Sequence, residues 1–397
     1  MKQLFTVLLL PIIFTTLLPL SVFAEDENQI TAPSLQSEAA ILLDANTGSI
    51  LYEKNSETKM YPASLTKMAT AIYAIENGNL NDIVTVSKEA WEAEGTRVYL
   101  EEGEQVPLKN LIQGLLINSG NDAGVAIAEH MDGNVEDFAK SINKYLKEKI
   151  RIDHTNFENP HGLFDDNHYT TAYDLAVLTQ YALKNEIFSE IFNTKELPWN
   201  GAGWQTTLYS HHLLVRGEIP YEGIIGGKTG FVQESRFTLS TAAEQGDLKL
   251  IAIVLKANTD NIAYEDTVAL LDYGFENFEV SEVSEVSANR SFTSASNSDE
   301  TFRLNQPLPY THKKDEAIEI DVDDKGMLTV IGDDGRHLAS KELTQDIPQE
   351  AMSARAQLEA IEVNKSKNLT PIVMIALAAI VVTVALYYRR KLNKANI

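Results

Sequence analysis

The sequence predicts an α+β fold, in which an antiparallel sheet is flanked by helices and followed by a smaller all-β domain. Two strand-like regions, residues 37–53 and 223–255, enclose a series of helical patterns. Strands at both ends of one domain indicate that its terminal segments share a single sheet. After about Phe278 the pattern changes to short strand-like pieces with Asp-Gly turns, which indicates the second domain.

The first 24 residues have the layout of a secretory signal peptide. A lysine precedes a long apolar run that ends at Val22-Phe23-Ala24, with small residues at the recognition positions. We predict cleavage after Ala24, which leaves residues 25–36 as a linker. An uncleaved membrane anchor is the alternative, although Pro11 and Pro19 disfavour one long stable helix.

The domain predicted over residues 37–278 begins with a hairpin, because two strand-like runs flank the turn Asp44-Ala45-Asn46-Thr47-Gly48. Helical periodicity follows from Ser64 to Glu76. The other predicted elements are two helices within 108–131 that are interrupted at 118–121, a helix over 171–183, strands at 223–232, 237–242 and 248–255, and a closing helix over 261–275.

Residues 279–345 are predicted to form the β-rich C-terminal domain, and residues 346–368 a polar stalk. The clearest strand-like pieces of this domain are 317–322 and 327–331. Residues 369–388 are uncharged and mostly aliphatic, and about 20 such residues suffice for a transmembrane helix. The basic tail, residues 389–397, should stay in the cytoplasm. We therefore expect a single-pass cell-membrane protein with its main domain outside the cytoplasm.

The composition excludes several classes of function. The 397 residues carry a net charge of −24 and include no cysteine. An acidic surface lacks the basic patches that bind nucleic acid, and it indicates solubility more than any particular substrate. Without cysteine there are no disulfides and no thiol catalysis, so an exported domain needs a large core to be stable.

The segment Pro62-Ala63-Ser64-Leu65-Thr66-Lys67 places a serine and a lysine three residues apart at the start of an apolar helix. This spacing puts both side chains on one helix face. Burial would lower the pKa of the lysine, so that its neutral amine can act as a base toward the hydroxyl. The alternative is a capping serine and a lysine that extends to water. Two further Ser-x-x-Lys matches, Ser56…Lys59 and Ser141…Lys144, are interpreted as solvated surface.

Two other short motifs suggest a common site. Lys228-Thr229-Gly230 lies in a strand-like run flanked by glycines, where a lysine and a hydroxyl can bind an anionic group. Ser119-Gly120-Asn121 fills an abrupt gap between two helices, where polar side chains can point into a cleft. In isolation, a role in loop or helix capping explains Ser119 and Asn121 equally well.

In this order and in these contexts, the three motifs resemble those of low-molecular-mass penicillin-binding proteins, which act as serine-type D-alanyl-D-alanine carboxypeptidases of the DD-peptidase/β-lactamase-like superfamily. The resemblance covers residues 37–278 and extends to the segments LLINSGNDA, NPHGL, TAYDLA and GGKTG. It implies removal of the terminal D-alanine from peptidoglycan stem peptides through an acyl-enzyme, acylation by β-lactams, and no cofactor or metal.

The resemblance also implies a role for each motif residue. Ser64 is the nucleophile and Lys67 its base. Ser119 relays a proton to the departing D-alanine, and Asn121 holds Lys67 and a substrate carbonyl. The residues implied in substrate binding are Lys228 and Thr229 for the terminal carboxylate, Gly230 for close approach of the peptide, and Phe231, whose backbone N–H forms the oxyanion hole with that of Ser64.

The sequence departs from the family pattern at two places. Ser235-Arg236 occurs where relatives often carry Ala-Gly, and residues 261–265 lack the arginine that often begins the last helix. The group that completes carboxylate recognition is therefore open. Arg236 can assist Lys228 only if residues 233–235 form a turn or bulge, because its spacing from Phe231 is odd.

Other functions remain as alternatives. A class A β-lactamase needs a glutamate in a Glu-x-x-Leu-Asn setting, and the nearest segment, Glu196-Leu197-Pro198-Trp199-Asn200, has the wrong order. A DD-endopeptidase or a weak transpeptidase stays open. A metallopeptidase is disfavoured, because there is no His-Glu-x-x-His and adjacent His211 and His212 would face opposite ways in a strand. A β-lactam receptor is disfavoured by the short tail.

Overall fold

A computed structural model of the chain describes residues 31–284, 292–293 and 301–345. The predicted signal peptide, stalk, transmembrane helix and cytoplasmic tail lie outside these residues. Within them, no helix is both long enough and apolar enough to cross a membrane.

The helical elements lie mostly in the first two thirds of the described chain. They are α1 (Thr66–Asn77), α2 (Lys88–Trp91), α3 (Leu108–Ile117), α4 (Asn121–Asp132), α5 (Val135–Tyr145), α6 (Ala172–Ala182), α7 (Glu186–Phe192), α8 (Leu213–Arg216) and α9 (Asp260–Asn277), with a 3₁₀ turn at Ala63–Leu65 and a π-helical turn at Leu146–Ile150. The predicted gap between two helices at residues 118–121 is confirmed, because α3 ends at Ile117 and α4 begins at Asn121.

The strands are β1 (Ala39–Asp44), β2 (Ile50–Lys54), β3 (Ile83–Thr85), β4 (Gln105–Pro107), β5 (Glu196–Asn200), β6 (Gln205–Tyr209), β7 (Ile224–Val232), β8 (Arg236–Gln245), β9 (Leu248–Ala257), β10 (Phe278–Val283), β11 (Phe292–Thr293), β12 (Thr301–Arg303), β13 (Leu308–Lys313), β14 (Glu319–Val322), β15 (Met327–Ile331), β16 (His337–Glu342) and β17 (Thr344–Gln345). The central antiparallel sheet has the order β2-β1-β9-β8-β7. Leu42 of β1 lies opposite Ala252 of β9, so both ends of the domain share one sheet, as predicted.

The sheet separates two apolar cores, because successive side chains of a strand point to opposite faces. Ile41 and Leu43 of β1 belong to the core beneath α1, α3, α4 and α6. Leu42 packs on the other face, together with Leu270 and Leu271 of α9. Burial of a large aliphatic side chain stabilises the fold by about 1.5–3 kcal/mol, so these two cores replace the disulfides that the chain lacks.

The edge strand β7 packs against the 3₁₀ turn that precedes α1. A Cβ atom added to Gly230 would lie 2.8 Å from the backbone nitrogen of Ser64. Glycine is therefore required for this approach. The packing brings the Ser64 and Lys228 segments, which are far apart in sequence, into direct contact.

The hairpin formed by β5 and β6 was not predicted, since Pro198 interrupts the strand pattern. Proline is tolerated because these two strands pair only with each other, and Pro198 lies opposite Thr207. Ser210 and the two histidines that follow it lie beyond β6. His211 and His212 do not lie in a strand, and His212 caps α8 by accepting from the Val215 N–H.

The C-terminal region from β10 onward is all-β in the described residues, as predicted. Its small core includes Phe302, Leu328 and Val330. The predicted strand at 327–331 is confirmed as β15, whereas the strand predicted from residue 317 begins only at Glu319. The Thr311 hydroxyl donates to the buried Asp44 carboxylate at 2.5 Å, which ties this region to the main domain.

Candidate active site

Ser64 lies in the 3₁₀ turn Ala63–Leu65, two residues before α1 begins. The helix-capping alternative is wrong, because neither this turn nor α1 has a side-chain cap hydrogen bond. Ala63 has a φ of +49°, in the left-handed region that costs a non-glycine residue energy. The backbone at Gly162 approaches so closely that an added Cβ would clash with the Ala63 carbonyl oxygen. The turn is thus held in a strained geometry. The Ser64 hydroxyl makes no helix-capping hydrogen bond in it.

Lys67 is fully buried, so the alternative of a lysine that extends to water is also wrong. Its Nζ donates to Ser64 Oγ at 2.9 Å and to the His161 carbonyl oxygen at 2.6 Å. Burial holds the pKa of Lys67 well below its usual value, and the nearby charge of Lys228 lowers it further, while Asp122 opposes both. A lysine whose pKa is lowered in this way can hold a neutral amine against a serine hydroxyl.

Lys228 and Ser119 form a second pair across the cleft. Lys228 Nζ donates to Ser119 Oγ and to the Thr229 carbonyl oxygen, both at 3.0 Å. Burial lowers the pKa of Lys228 to about 7. Ser119 has a φ of +62°, so the loop between α3 and α4 is strained where it presents this hydroxyl. Because the charge of Lys228 acts on Lys67, the two lysine–serine pairs lie close together.

Asn121 lies at the start of α4 beside this pair, but its amide does not hold Lys67 as the sequence analysis expected. Its Nδ2 donates to the Glu94 carbonyl oxygen at 2.6 Å. The Lys67 amine instead donates a hydrogen bond to the His161 carbonyl oxygen. Among the described residues, Asn121 thus fixes the loop that precedes Arg97, and its side-chain oxygen is left for a ligand.

Strand β7 presents its residues to the two faces of the sheet in alternation. Lys228 and Gly230 face the helices, whereas Thr229 and Phe231 face the side of α9, since Thr229 pairs with Leu239 of that core. Phe231 is 50% exposed and packs on Phe237 with ring centroids 4.7 Å apart. Because β7 is an edge strand, its free backbone groups can pair with an extended peptide.

Residues 233–235 form the turn that an assisting role for Arg236 requires. The Ser235 hydroxyl closes this turn by accepting from the Val232 N–H at 3.1 Å. Arg236 begins β8 opposite Val232, on the same sheet face as Lys228 and Thr238. The turn therefore places Arg236 on the cleft face, at the opposite end of the strand from Lys228.

Two groups that position the site are not evident from the sequence. The His161 carbonyl anchors Lys67, and buried Asp122 accepts from the backbone N–H groups of Val98 and Leu100 at 3.0 and 3.1 Å. His161 lies in the NPHGL segment, which is a feature of the family. Its contact with Lys67 is made by the backbone carbonyl, which every residue type carries, so the sequence does not indicate it. Asp122 follows Asn121 directly and was not distinguished from an ordinary first-turn acid.

In the described part of the chain, three acidic side chains approach one another within 4.8 Å, namely Glu316, Asp333 and Asp334. They lie in the C-terminal β region, and Glu316 already pairs with Arg336 at 2.9 Å. The cluster is therefore partly neutralised and lies outside the cleft.

A buried serine–lysine pair, a second serine–lysine pair and an edge strand around one cleft define a serine hydrolase in which a lysine takes the usual place of histidine. Such a site can form an acyl-enzyme with a peptide or amide carbonyl.

Comparison with known proteins agrees with this class. The model of the peptidase S11 family, D-alanyl-D-alanine carboxypeptidase, matches residues 26–259. The D-alanyl-D-alanine carboxypeptidase DacF of Bacillus subtilis is 33% identical over 285 residues, which are 70% of this chain and 72% of that protein. The chain belongs to the peptidase S11 family and is a serine-type D-alanyl-D-alanine carboxypeptidase.

Solved structures share the fold over most of the described chain. Penicillin binding protein 5 from Haemophilus influenzae aligns with a TM-score of 0.69 at 27% identity, over 79% of this chain and 98% of that one. Penicillin binding protein 6B from Escherichia coli aligns with a TM-score of 0.66 at 27% identity, over 79% and 96%.

Proposed function

We propose that Ser64 and Lys67 carry out the acyl transfer, and that the cleft accepts both stem peptides ending in D-Ala-D-Ala and β-lactams. One observation carries this assignment. The Ser64 hydroxyl lies 2.9 Å from the amine of a fully buried lysine whose pKa is lowered. In this pair the lysine can accept a proton without leaving its position.

The proposed acylation follows from the two pairs. Ser64 Oγ forms a bond to the carbonyl carbon of the penultimate D-alanine, and its proton passes to Lys67. The oxyanion is bound by the backbone N–H groups of Ser64 and Phe231, each worth about 2.7–4 kcal/mol in comparable sites. The C–N bond then breaks, and the Ser119 hydroxyl, held by Lys228, gives the departing amine its proton. Ser119 recovers a proton from Lys67, which leaves the Lys67 amine neutral for the second half of the reaction.

In deacylation a water molecule takes the place of Ser64 as the nucleophile, and Lys67 is again the base. A water molecule adds to the acyl carbon and passes a proton to the neutral amine of Lys67. The Ser64 oxygen then leaves as the alcohol and recovers a proton. Among the described residues, the hydrogen-bond partners of Lys67 include no carboxylate, and Glu196 is exposed on β5. The class A β-lactamase alternative, which depends on a glutamate near the acyl group, therefore has no support in the site geometry.

We place the substrate carboxylate at the free edge of β7, where side chains from both faces of the strand, Lys228 and Thr229, can reach it. Thr229→Val is expected to lower kcat/KM for a peptide ending in free D-Ala-D-Ala by about tenfold or more, because a hydrogen bond to a charged group contributes about 1.5–3 kcal/mol. Arg236→Ala should have a smaller effect on this terminal recognition. Kinetics on the free-acid and C-terminal amide forms of one peptide measure the contribution of the carboxylate. Thr207→Val, a threonine of similar exposure on β6, is the matched control.

The acid and amide peptides also separate two functions. If the wild-type enzyme cleaves both equally, carboxylate recognition by Lys228 and Thr229 is wrong, and the DD-endopeptidase hypothesis replaces it. A strong preference for the acid, reduced in the Thr229 variant, supports carboxypeptidase action at this strand.

We further propose the placement that the sequence predicts. Residues 1–24 would be a cleaved signal peptide, residues 369–388 a transmembrane helix and residues 389–397 a cytoplasmic tail. The catalytic domain, residues 37–278, would lie outside the membrane, with the β domain (279–345) and the stalk (346–368) as a spacer.

Truncation before Lys367 is expected to move the enzyme from the membrane fraction to the soluble fraction, because the proposed anchor is removed. Its kcat/KM on small D-Ala-D-Ala peptides should remain within about twofold of the full chain, since the described cleft lies wholly within the main domain. Fractionation followed by peptide kinetics tests both statements. Loss of activity in the soluble protein would mean that the anchor or stalk is part of the site.

A further inference from the structure

The proposed roles of β7 fix the direction in which a bound peptide runs along its free edge. The terminal carboxylate lies at Lys228 and Thr229, and the carbonyl under attack lies at the Phe231 N–H. The residues before the scissile bond must therefore continue past Phe231 toward Val232. Because an extended chain advances about 3.3 Å per residue, the residue that precedes the acylated D-alanine lies beside the turn formed by residues 233–235.

Arg236 is the cation at this end of the cleft face. It lies opposite Val232, four residues along from Lys228, and this spacing corresponds to about 13 Å of extended strand. Lys228 and Arg236 therefore lie beside different residues of a bound peptide. The Arg236 side chain is exposed, and within the described residues its guanidinium has no hydrogen-bond or ion-pair partner.

The backbone at Arg236 is also unusual. Its φ is +53°, in the left-handed region that glycine adopts without strain and an arginine rarely adopts. A long cationic side chain thus occupies a position where glycine would be less strained. Strain of this kind concentrates at functional sites.

An aromatic pair, of which Phe164 is exposed and Tyr61 half-buried, lies near the same end of β8. Thr238, the next residue of β8 on the face of Arg236, donates to the Pro62 carbonyl oxygen at 3.0 Å. Tyr61 precedes Pro62 and packs edge-to-face on Phe164, with ring centroids 4.9 Å apart. Phe164 is 43% exposed. Apolar surface and a free cation are therefore available to one side chain of the peptide.

We propose that Arg236, with Tyr61 and Phe164, forms a subsite for the side chain of the residue that precedes the acylated D-alanine, and that this side chain is an apolar stem ending in a carboxylate. The inference rests on the proposed function, because the peptide direction follows from the roles of Lys228 and Phe231. The aromatic pair packs on the methylene groups, and the guanidinium binds the carboxylate.

Three N-acetylated peptides, Xaa-D-Ala-D-Ala, test the subsite with the full-length enzyme. In them Xaa is L-2-aminoadipate, its side-chain amide or L-lysine, and the release of D-alanine gives kcat/KM. The wild-type enzyme should prefer the carboxylate over the amide by about tenfold, as expected for a charge-assisted hydrogen bond. This ratio should fall to about one in Arg236→Gly, which also relieves the backbone strain, and Arg236→Glu should prefer the lysine peptide.

Two matched controls separate the subsite from general effects. Arg151→Gly removes another exposed arginine with a left-handed backbone, φ +68°, and should leave the ratio unchanged. Glu234→Gln removes the other charge of the turn and should keep or increase the preference. If the wild-type enzyme cleaves the carboxylate and amide peptides equally well, the subsite is overturned while the proposed function stands. If it releases D-alanine from none of the three, the proposed function itself fails.

Discussion

Ser64→Ala is expected to abolish covalent labelling by benzylpenicillin and to reduce peptide turnover by on the order of 10⁶, the loss seen when the nucleophile of a serine protease is removed. The wild-type chain should gain one equivalent of penicillin on the peptide that contains Ser64. The expected effect is this large because, among the described residues, Ser64 carries the hydroxyl that is hydrogen-bonded to the Lys67 amine. Intact-mass analysis followed by peptide mapping measures it.

The chain provides two matched controls for this substitution. Ser56 and Ser141 also stand three residues before a lysine, but they donate to the carboxylates of Glu53 and Asp132. Ser56→Ala and Ser141→Ala should label as the wild type does. Penicillin labelling that persists in Ser64→Ala would show that another residue is the nucleophile.

Lys67→Arg is expected to slow acylation by about 10²–10⁴, the usual contribution of a general base. Arginine keeps the positive charge but does not lose its proton in a protein, so it cannot accept one from Ser64. The second-order rate of penicillin acylation measures this loss. Lys54→Arg is the control, because the Lys54 amine likewise donates two hydrogen bonds, to the backbone carbonyls of Leu35 and Ser37, but none to a serine hydroxyl of the described chain. A near-normal rate in Lys67→Arg would mean that Lys67 has only a structural role.

The pH dependence of the same rate should distinguish the two lysines. Lys67 acts as the neutral amine, so acylation should fall as the pH drops through its lowered pKa. Lys228 acts as the cation, and its pKa is lowered to about 7, so acylation should also fall as the pH rises through that value. Lys228→Arg keeps the cation at every pH and should remove the alkaline limb. A flat profile in the wild type would contradict this division of roles.

Local patterns in the sequence determined much of the fold. The continuous apolar run of β1 is typical of a strand buried on both faces. The 3.6-residue period of α1 is typical of a helix, so both elements were predictable from residue type. The motif residues Ser64 and Lys67 were recognisable because a lysine in an apolar helix must be paired or neutralised when it is buried. The β5–β6 hairpin was missed because Pro198 is acceptable there only in a two-stranded pairing, which local sequence does not reveal.

The tertiary structure decided how the motif residues are held. The His161 carbonyl reaches Lys67 across 94 residues of sequence, and Lys228 reaches Ser119 across 109. The turn before Arg236 moves that side chain onto the cleft face. These contacts depend on which backbone atoms approach one another after the sheet and the helices pack. Residue types alone determined which groups can do the chemistry, whereas the packing of distant segments determined their distances, their pKa values and the end of the cleft that each one serves.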